Sequence, residues 1–257
     1  MIFLRRIELT GDPDRGHFPF DVPALRDFTR LEFNSPVTFF VGENGTGKST
    51  LLEAIALRAR LPCATGLPLE HEPTLAGVHP LAHCLRLGWM PRTKSGFFLR
   101  VEDFFSIARE TKQRAEAMGV YAERFIDEPR ATSYLPSQRH AVEERNGEDL
   151  HVLSHGESFL KFVQSRCTAG GLHIIDEPEA ALSPQRQLAF MSIIKQLVAD
   201  DAQFIIATHS PLLLAFPGAQ IVSFDEKAPQ NVNFEELPHV TLTRNFLSDP
   251  ERFLREL

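Results

Sequence analysis

The most constraining feature of this sequence is a glycine-rich stretch at residues 42–50, which reads GENGTGKST. It satisfies the pattern GxxxxGK[ST], in which successive backbone N–H groups and a lysine surround phosphate oxygens. An apolar, β-rich run at residues 37–41 stops at Gly42, and the residues from Lys48 onward have helical spacing. The chain is therefore predicted to form a strand, a phosphate-binding loop and a helix, in that order, and to bind a nucleotide.

Each position of this loop has a predicted role. The glycines let the backbone turn around the phosphates, Lys48 should reach the β- and γ-phosphates, and the Ser49 hydroxyl should bind Mg²⁺. The chain contains no Asn-Lys-x-Asp sequence, which would read guanine, so ATP is the predicted nucleotide. The predicted nucleotide-binding residues are Gly42, Glu43, Asn44, Gly45, Thr46, Gly47, Lys48, Ser49 and Thr50.

A second motif supplies acidic residues for the metal. Residues 172–177, LHIIDE, form an apolar run that ends in two acids, and Asp176 follows Lys48 by 128 residues. Asp176 is predicted to hold Mg²⁺ together with Ser49, and Glu177, just beyond the strand end, to polarise the attacking water as a general base. Without the loop motif, the same acids could equally be a cap that closes the strand.

Length and the order of elements predict an α/β fold. A chain of 257 residues fits one domain. Strands at residues 172–175 and 204–207 flank a helix at 184–198, and this alternation favours a largely parallel sheet with helices on both faces. Residues 61–82, rich in Pro, Gly and His, are predicted to be a long irregular connection, and residues 242–257 a single amphipathic helix.

Between the two motifs stands LSHGES, at residues 153–158. It resembles the LSGGQ signature of the ABC-type ATPases, and without that resemblance it could be only a helix start. The resemblance implies that Ser154 and Gly156 bind the γ-phosphate held by a partner subunit, so that ATP joins two copies head to tail. It also implies a P-loop NTPase of the ABC-ATPase type, one domain over residues 1–257 with a helical subdomain over residues 101–168 that carries the signature.

Two further segments resemble the same family. Residues 179–183, EAALS, follow the acids where the family has its D-loop, and residues 207–211, ATHSP, follow the next strand. The second resemblance implies that His209 hydrogen-bonds the γ-phosphate and orients the attacking water. Taken singly, His209 could be an ordinary histidine at a strand end.

Two family positions are not filled by the expected residue. Residues 96–102 occupy the place of the family's Q-loop but contain no glutamine, so Arg100 and Glu102 are the candidates there. No tyrosine that could stack on adenine precedes the phosphate-binding loop, which leaves Phe18 and Phe20 as candidates, or as core anchors.

The residues of two motifs indicate which branch of the family the chain resembles. DEPEAALSP at residues 176–184 and THSP at 208–211 resemble the soluble ATPase heads of RecF, SMC and OLD proteins more than transporter subunits. The interval of 128 residues leaves no room for a coiled-coil arm. The expected function is an ATPase that acts as a nucleotide-driven dimerisation switch and is not itself a transporter; the alternative is a transporter's nucleotide-binding subunit, docked on a separate membrane protein.

Charge and hydropathy bound the partners. The net charge of −7 argues against a surface that grips nucleic acid throughout, although a local basic patch stays open. Residues 202–224 contain no Lys, Arg, Asp or Glu, but prolines and a glycine break them into pieces too short to span a membrane. We therefore expect a cytoplasmic protein without membrane insertion, whose partners are a second copy of itself and an unidentified effector protein or nucleic acid.

Overall fold

The computed structural model describes residues 1–63, 68–102, 104 and 155–255. Its strands are β1 (Leu4–Leu9), β2 (Arg30–Glu32), β3 (Val37–Val41), β4 (Leu85–Trp89), β5 (Gly96–Arg100), β6 (Leu172–Asp176), β7 (Gln203–Ala207), β8 (Gln220–Ser223) and β9 (Gln230–Asn231). Its α-helices are α1 (Pro23–Arg26), α2 (Lys48–Ala59), α3 (His79–Cys84), α4 (His155–Arg166), α5 (Pro184–Ala199), α6 (Pro211–Leu214), α7 (Pro238–Ser248) and α8 (Pro250–Leu254). Short 3₁₀ helices cover Leu69–His71, Pro73–Val78, Pro178–Ala181 and Phe234–Glu236.

The larger sheet has six strands in the order β5-β6-β7-β3-β8-β9. The first five are parallel and β9 is antiparallel to β8. The register pairs Arg100 with Asp176, Asp176 with Ala207, and Phe40 with Ala207, so the carboxyl ends of four strands meet at one edge. Ligands of open parallel sheets bind outside this edge, and the predicted site residues follow these strands.

Two apolar cores lie on the two faces of this sheet. All five residues of β3 are buried, and because successive side chains of a strand alternate, Phe40 belongs to one core and Phe39 to the other. The core of Phe40 includes residues of α1, α2 and α3 and of the antiparallel sheet β2-β1-β4, whereas that of Phe39 includes residues of α4 to α7. The predicted parallel sheet with helices on both faces is confirmed.

The prediction that residues 61–82 are a long irregular connection is wrong for much of this segment. Its described part contains two 3₁₀ helices and the start of α3. Leu69, Leu75, Val78 and Leu81 are buried in the core on the α2 side. Tertiary burial of these apolar residues, spaced among prolines and glycines, organises a segment whose composition alone indicates a loop.

The single C-terminal helix predicted over residues 242–257 is also wrong. α7 begins earlier, at Pro238, and ends at Ser248, and α8 begins after Asp249. Pro250 has no N–H to continue the helix and disfavours helical geometry at the preceding residue, and Asp249 accordingly has φ −149° and ψ 76°. The Asp249 carboxylate instead accepts a hydrogen bond from Arg252 N at 3.2 Å and caps α8.

The subdomain predicted over residues 101–168 falls mostly outside the described residues. The structure describes its carboxyl-terminal part, which is α4 (His155–Arg166). Ser154 lies outside the described residues, and Gly156 lies in the first turn of α4.

Candidate nucleotide-binding site

The glycine-rich loop turns directly from buried strand β3 into α2. Gly42 and Gly47 have φ of 143° and 111°, a region that disfavours other residues. Space enforces the same choice, since a Cβ on Gly42 would lie 2.9 Å from Asp225 Oδ1 and one on Gly47 would lie 2.8 Å from Val22 Cγ1. The motif therefore has the backbone that its sequence predicts, leading into the N-terminus of a 12-residue helix.

Lys48 is held within this loop. Its side chain is buried, with 4% of the residue exposed, and Nζ donates to the carbonyl oxygens of Gly42 at 2.7 Å and Glu43 at 2.9 Å. Burial lowers the pKa of Lys48, and the negative charges of Glu177 and Asp176 oppose that shift. The amine is thus placed inside the loop, where the phosphates of a nucleotide would give it stronger partners than backbone carbonyls.

Ser49 and Asp176 meet at the start of α2 and the end of β6. The Asp176 carboxyl is hydrogen-bonded to the Ser49 side chain, and burial raises its pKa to about 7. Its Oδ1 is buried and has no hydrogen-bond partner among the described residues. A buried carboxylate oxygen left over beside a hydroxyl fits a hard cation such as Mg²⁺, which prefers oxygen ligands, so Ser49 and Asp176 are the residues that would hold it.

Glu177 follows Asp176 with a left-handed backbone (φ 51°), fixed by a 3.0 Å hydrogen bond from its N–H to Ala207 O. Its side chain is 46% exposed, and Oε1 lies 3.7 Å from His209 Nε2. Two cavities, of about 280 and 380 Å³, share Ser49 and Glu177 in their walls. The structure thus brings the predicted histidine close to the predicted base, and the base lies where the two cavities meet.

Glu179 fixes the end of β7. Its carboxylate accepts hydrogen bonds from His209 N at 2.6 Å and from the Thr208 hydroxyl at 2.7 Å. The sequence places Glu179 only in the segment that resembles a D-loop, and the structure adds that this acid orients the backbone carrying His209. A motif read along one strand does not reveal such a contact between two strand ends.

Asp225, just beyond β8, is a site residue that the sequence reasoning missed. Its Oδ1 accepts a hydrogen bond from Glu43 N at 2.7 Å, and Ser223 Oγ lies 3.3 Å from Oδ2. Glu43 and Asp225 are 182 residues apart. The signal along the sequence is an acid that directly follows the largely apolar residues 221–224. The Asp225 carboxylate thus holds the first turn of the phosphate-binding loop in place through this hydrogen bond.

We expect Asp225→Ala to weaken ATP binding by about tenfold, because a hydrogen bond to a charged group contributes about 1.5–3 kcal/mol. Asp225→Asn keeps an acceptor at the same place and should lose less than about threefold. Nucleotide titration of both variants makes this measurement, and equal losses for the two would show that the carboxylate's charge matters rather than its contact with the loop.

The signature glycine lies against the segment that follows the acids. A Cβ on Gly156 would meet Arg186 Cδ at 2.5 Å and Ala181 O at 3.1 Å, so any other residue here would displace the Arg186 side chain and press against the Ala181 carbonyl. Glu157, the next residue, pairs with Arg186 at 3.0 Å. Gly156 is not among the described residues that line the two cavities. That it binds a partner's nucleotide therefore stays a prediction.

The two candidate phenylalanines have different positions. Phe18 is 53% exposed and lines the cavity of the phosphate-binding loop, whereas Phe20 is buried in the core of α1 and α2. Of the two, Phe18 alone is placed to contact a base.

Within the described part of the chain, no helix combines the length and apolar character that crossing a membrane requires.

Fold and site together define the class of protein. A glycine-rich loop of the phosphate-binding pattern follows β3, the acids Asp176 and Glu177 stand at the end of β6, and His209 lies two residues beyond the end of the intervening strand β7. This is the arrangement of a P-loop NTPase.

Comparison with known proteins narrows the class. A family model described as "AAA domain" matches residues 18–58, and one described as "AAA domain, putative AbiEii toxin, Type IV TA system" matches residues 98–215. The probable branched-chain amino acid transport ATP-binding protein LivF of Archaeoglobus fulgidus is 30% identical over 206 residues, covering 79% of this chain and 79% of that protein. An uncharacterized ABC transporter ATP-binding protein of Haemophilus influenzae is 26% identical over 203 residues, covering 77% of this chain and 72% of that protein. The chain belongs to the ABC-type ATPases, a family of ATP-binding proteins, and has their fold.

Solved structures include more distant likenesses. cbiO1 of Clostridium perfringens, part of an ABC transporter complex, is 16% identical, with 99% of each chain covered and a TM-score of 0.47. The SMC head domain of Thermotoga maritima is 14% identical, with 90% of this chain and 98% of that chain covered and a TM-score of 0.44. At these values the likeness bears on neither activity nor partner.

Proposed function

We propose that this chain binds Mg·ATP and hydrolyses it, with Glu177 as the general base and His209 beside it. The observation that carries the proposal is the meeting of two cavities at Ser49 and Glu177, with Lys48 in one wall and Asp176 in the other. When bound, Mg²⁺ would neutralise phosphate charge at Ser49 and Asp176. Glu177 would accept the proton of the attacking water, and His209 would hold that water in line.

Phosphate release by the purified protein tests this proposal. We expect release that needs both ATP and Mg²⁺ and that the Glu177→Gln variant largely lacks. Release that chelation of divalent cations leaves unchanged would contradict the metal assignment, and an inactive parent protein that nevertheless binds ATP would contradict hydrolysis by this chain alone.

We infer further that the chain forms a single domain over residues 1–257 and that residues 101–168 form its helical subdomain, which presents the signature to a second copy. In a head-to-tail pair, ATP held by Lys48 of one copy would contact Ser154 and Gly156 of the other. Because only ATP supplies the terminal phosphate that both copies contact, it favours the paired state over the separate one. Hydrolysis would reverse that preference.

The paired state gives a prediction that separates assembly from binding. Ser154→Arg should leave ATP binding by the monomer nearly intact while blocking ATP-dependent dimerisation, because a bulky side chain would fill the space of the partner's γ-phosphate. Glu177→Gln alone should accumulate an ATP-bound dimer, and the double variant should remain monomeric. Size-exclusion chromatography with light scattering makes the measurement; a double variant that still dimerises with ATP would refute the role of Ser154.

Two outputs of this ATPase remain candidates, each with its own support. The printed names of the curated relatives favour an ATP-binding subunit that docks a separate membrane protein, because those relatives are transport ATP-binding proteins. Two observations favour a nucleotide-driven switch outside transport. One is the sequence of residues 176–184, and the other is the family model over residues 98–215, whose description names a putative toxin and no transporter. The comparisons weigh toward the transporter subunit.

One purification experiment discriminates between the transporter subunit and the non-transport switch. The tagged Glu177→Gln protein, trapped with ATP, is purified both from detergent-treated membranes and from the soluble fraction. A stoichiometric integral membrane protein that copurifies with it supports the transporter subunit. Recovery in the soluble fraction, with no membrane protein in stoichiometric amount, supports the non-transport switch.

A further inference from the structure

Arg100 ends β5 in register with Asp176 on the neighbouring strand. Residues paired in this way on parallel strands present their side chains to the same face of the sheet. Arg100 accordingly lines the 280 Å³ cavity together with Ser49, Glu53 and Asp176. A guanidinium thus stands in the wall of the site that would hold the metal and the end of the phosphate chain.

The contacts of Arg100 tie two elements together. Nη1 donates to Glu53 Oε1 at 3.2 Å, and the two side chains are only 15% and 13% exposed. Nη2 donates to the Thr74 hydroxyl at 3.0 Å. Glu53 lies one turn after Ser49 on α2, and Thr74 belongs to the 3₁₀ helix Pro73–Val78. The guanidinium therefore links the helix of the phosphate-binding loop to a segment of the connection that precedes α3.

The two cavities place Arg100 opposite the expected end of the phosphate chain. Lys48 lines the cavity of the loop, Arg100 lines the neighbouring one, and Ser49 and Glu177 belong to both. Lys48 and Arg100 are the cations among the described lining residues. A phosphate that extends from the loop past Ser49 would therefore have Lys48 behind it and Arg100 ahead of it.

We propose that Arg100 determines specificity for ATP over ADP, by binding the terminal phosphate and leaving Thr74 and Glu53 when it does so. The proposal rests on the proposed binding of Mg·ATP at this site. A phosphate with its greater charge and several acceptor oxygens is a stronger partner for a planar guanidinium than one carboxylate and a hydroxyl. ADP lacks that phosphate, so the Arg100 contacts seen here persist with ADP.

Arg100 and Glu102 are the two candidates for the Q-loop position, where the family has a glutamine, and the proposal selects Arg100. Glu102 lines the same cavity, but its carboxylate repels phosphate, whereas the charge of Arg100 attracts it. Thr74 belongs to Pro73–Val78, so an Arg100 that leaves the Thr74 hydroxyl for a phosphate couples nucleotide state to that segment. Leu75 and Val78 of that segment are buried in the α2-side core, so its release changes packing there.

Nucleotide titrations in the Glu177→Gln background, which preserves ATP, test the specificity. Arg100→Gln should weaken ATP binding by about 10- to 100-fold and ADP binding by less than about threefold, because a charge-assisted contact to the terminal phosphate is lost. Arg100→Lys keeps the charge and should recover part of the ATP affinity. Arg100→Gln that weakens both nucleotides alike, or neither, overturns the proposal.

Hydrogen exchange of the amides in Pro73–Val78 tests the coupling. In the protein with Arg100 intact, ATP should speed this exchange relative to ADP, and Arg100→Gln should remove the difference. Thr74→Val, which has nearly the same shape but no hydroxyl, should raise exchange of the segment without nucleotide. Equal exchange with ATP and ADP in the presence of Arg100 overturns the coupling. Failure of that protein to bind ATP at all instead contradicts the proposed function.

Discussion

Replacing Glu177 with glutamine should lower ATP turnover by about 10²- to 10⁴-fold while leaving ATP binding nearly unchanged. Glu177 is half-exposed to the two cavities and lies 3.7 Å from His209, so its carboxylate can reach a water between the phosphate and the imidazole. Glutamine has the same shape and can orient the water but cannot accept its proton. Steady-state phosphate release, measured beside nucleotide titration, separates these two effects.

A matched control is Glu251→Gln, which makes the same change at an exposed acid of α8. Its turnover should stay within about twofold of the parent protein, since it contacts neither cavity. If Glu177→Gln turned over ATP as fast as the parent, the general base would have to be another group, and the short separation of Glu177 and His209 would be only structural.

The strand and loop that form the centre of the site could be predicted because their signals are local. β3 occupies the predicted residues 37–41, and α2 begins at Lys48 as the motif requires. An apolar run that is buried on both sides and a glycine pattern with positive φ are properties of neighbouring residues. They need no knowledge of what packs against them.

The hydrogen bonds that hold the backbone of the site in place could not be predicted, because they join residues that are not neighbours in the sequence. The contact of Asp225 with Glu43 joins residues 182 positions apart, and that of Glu179 with His209 joins two strand ends. Such contacts depend on the strand order, in which β8 and β7 flank β3. No pattern along one segment specifies them.

The missed elements have two different causes. The helices within residues 61–82 form because their apolar residues find a core, which composition does not report. The break between α7 and α8, in contrast, had a local signal in Pro250, which the helical periodicity of the flanking residues obscured.

Replacing Lys48 with alanine should weaken ATP binding by about 100-fold or more, because it removes the cation placed to contact two phosphate groups, and charge-assisted hydrogen bonds are each worth about 1.5–3 kcal/mol. The fold should survive the change. The buried amine is desolvated, which lowers its pKa, so its loss removes an unfavourable burial together with its hydrogen bonds to Gly42 O and Glu43 O.

Lys195→Ala, at an exposed position of α5, removes the same charge elsewhere and should change ATP affinity by less than about twofold. Thermal unfolding of the Lys48→Ala protein without nucleotide then tells loss of a ligand contact from loss of structure. The expected result is a melting temperature close to that of the parent, which ATP no longer shifts. A ligand that binds only the folded state raises stability by an amount that grows with the logarithm of its concentration divided by its dissociation constant, so a ligand that no longer binds causes no shift. A variant that folds and still binds ATP as tightly as the parent would remove the phosphate-binding role from residues 42–50.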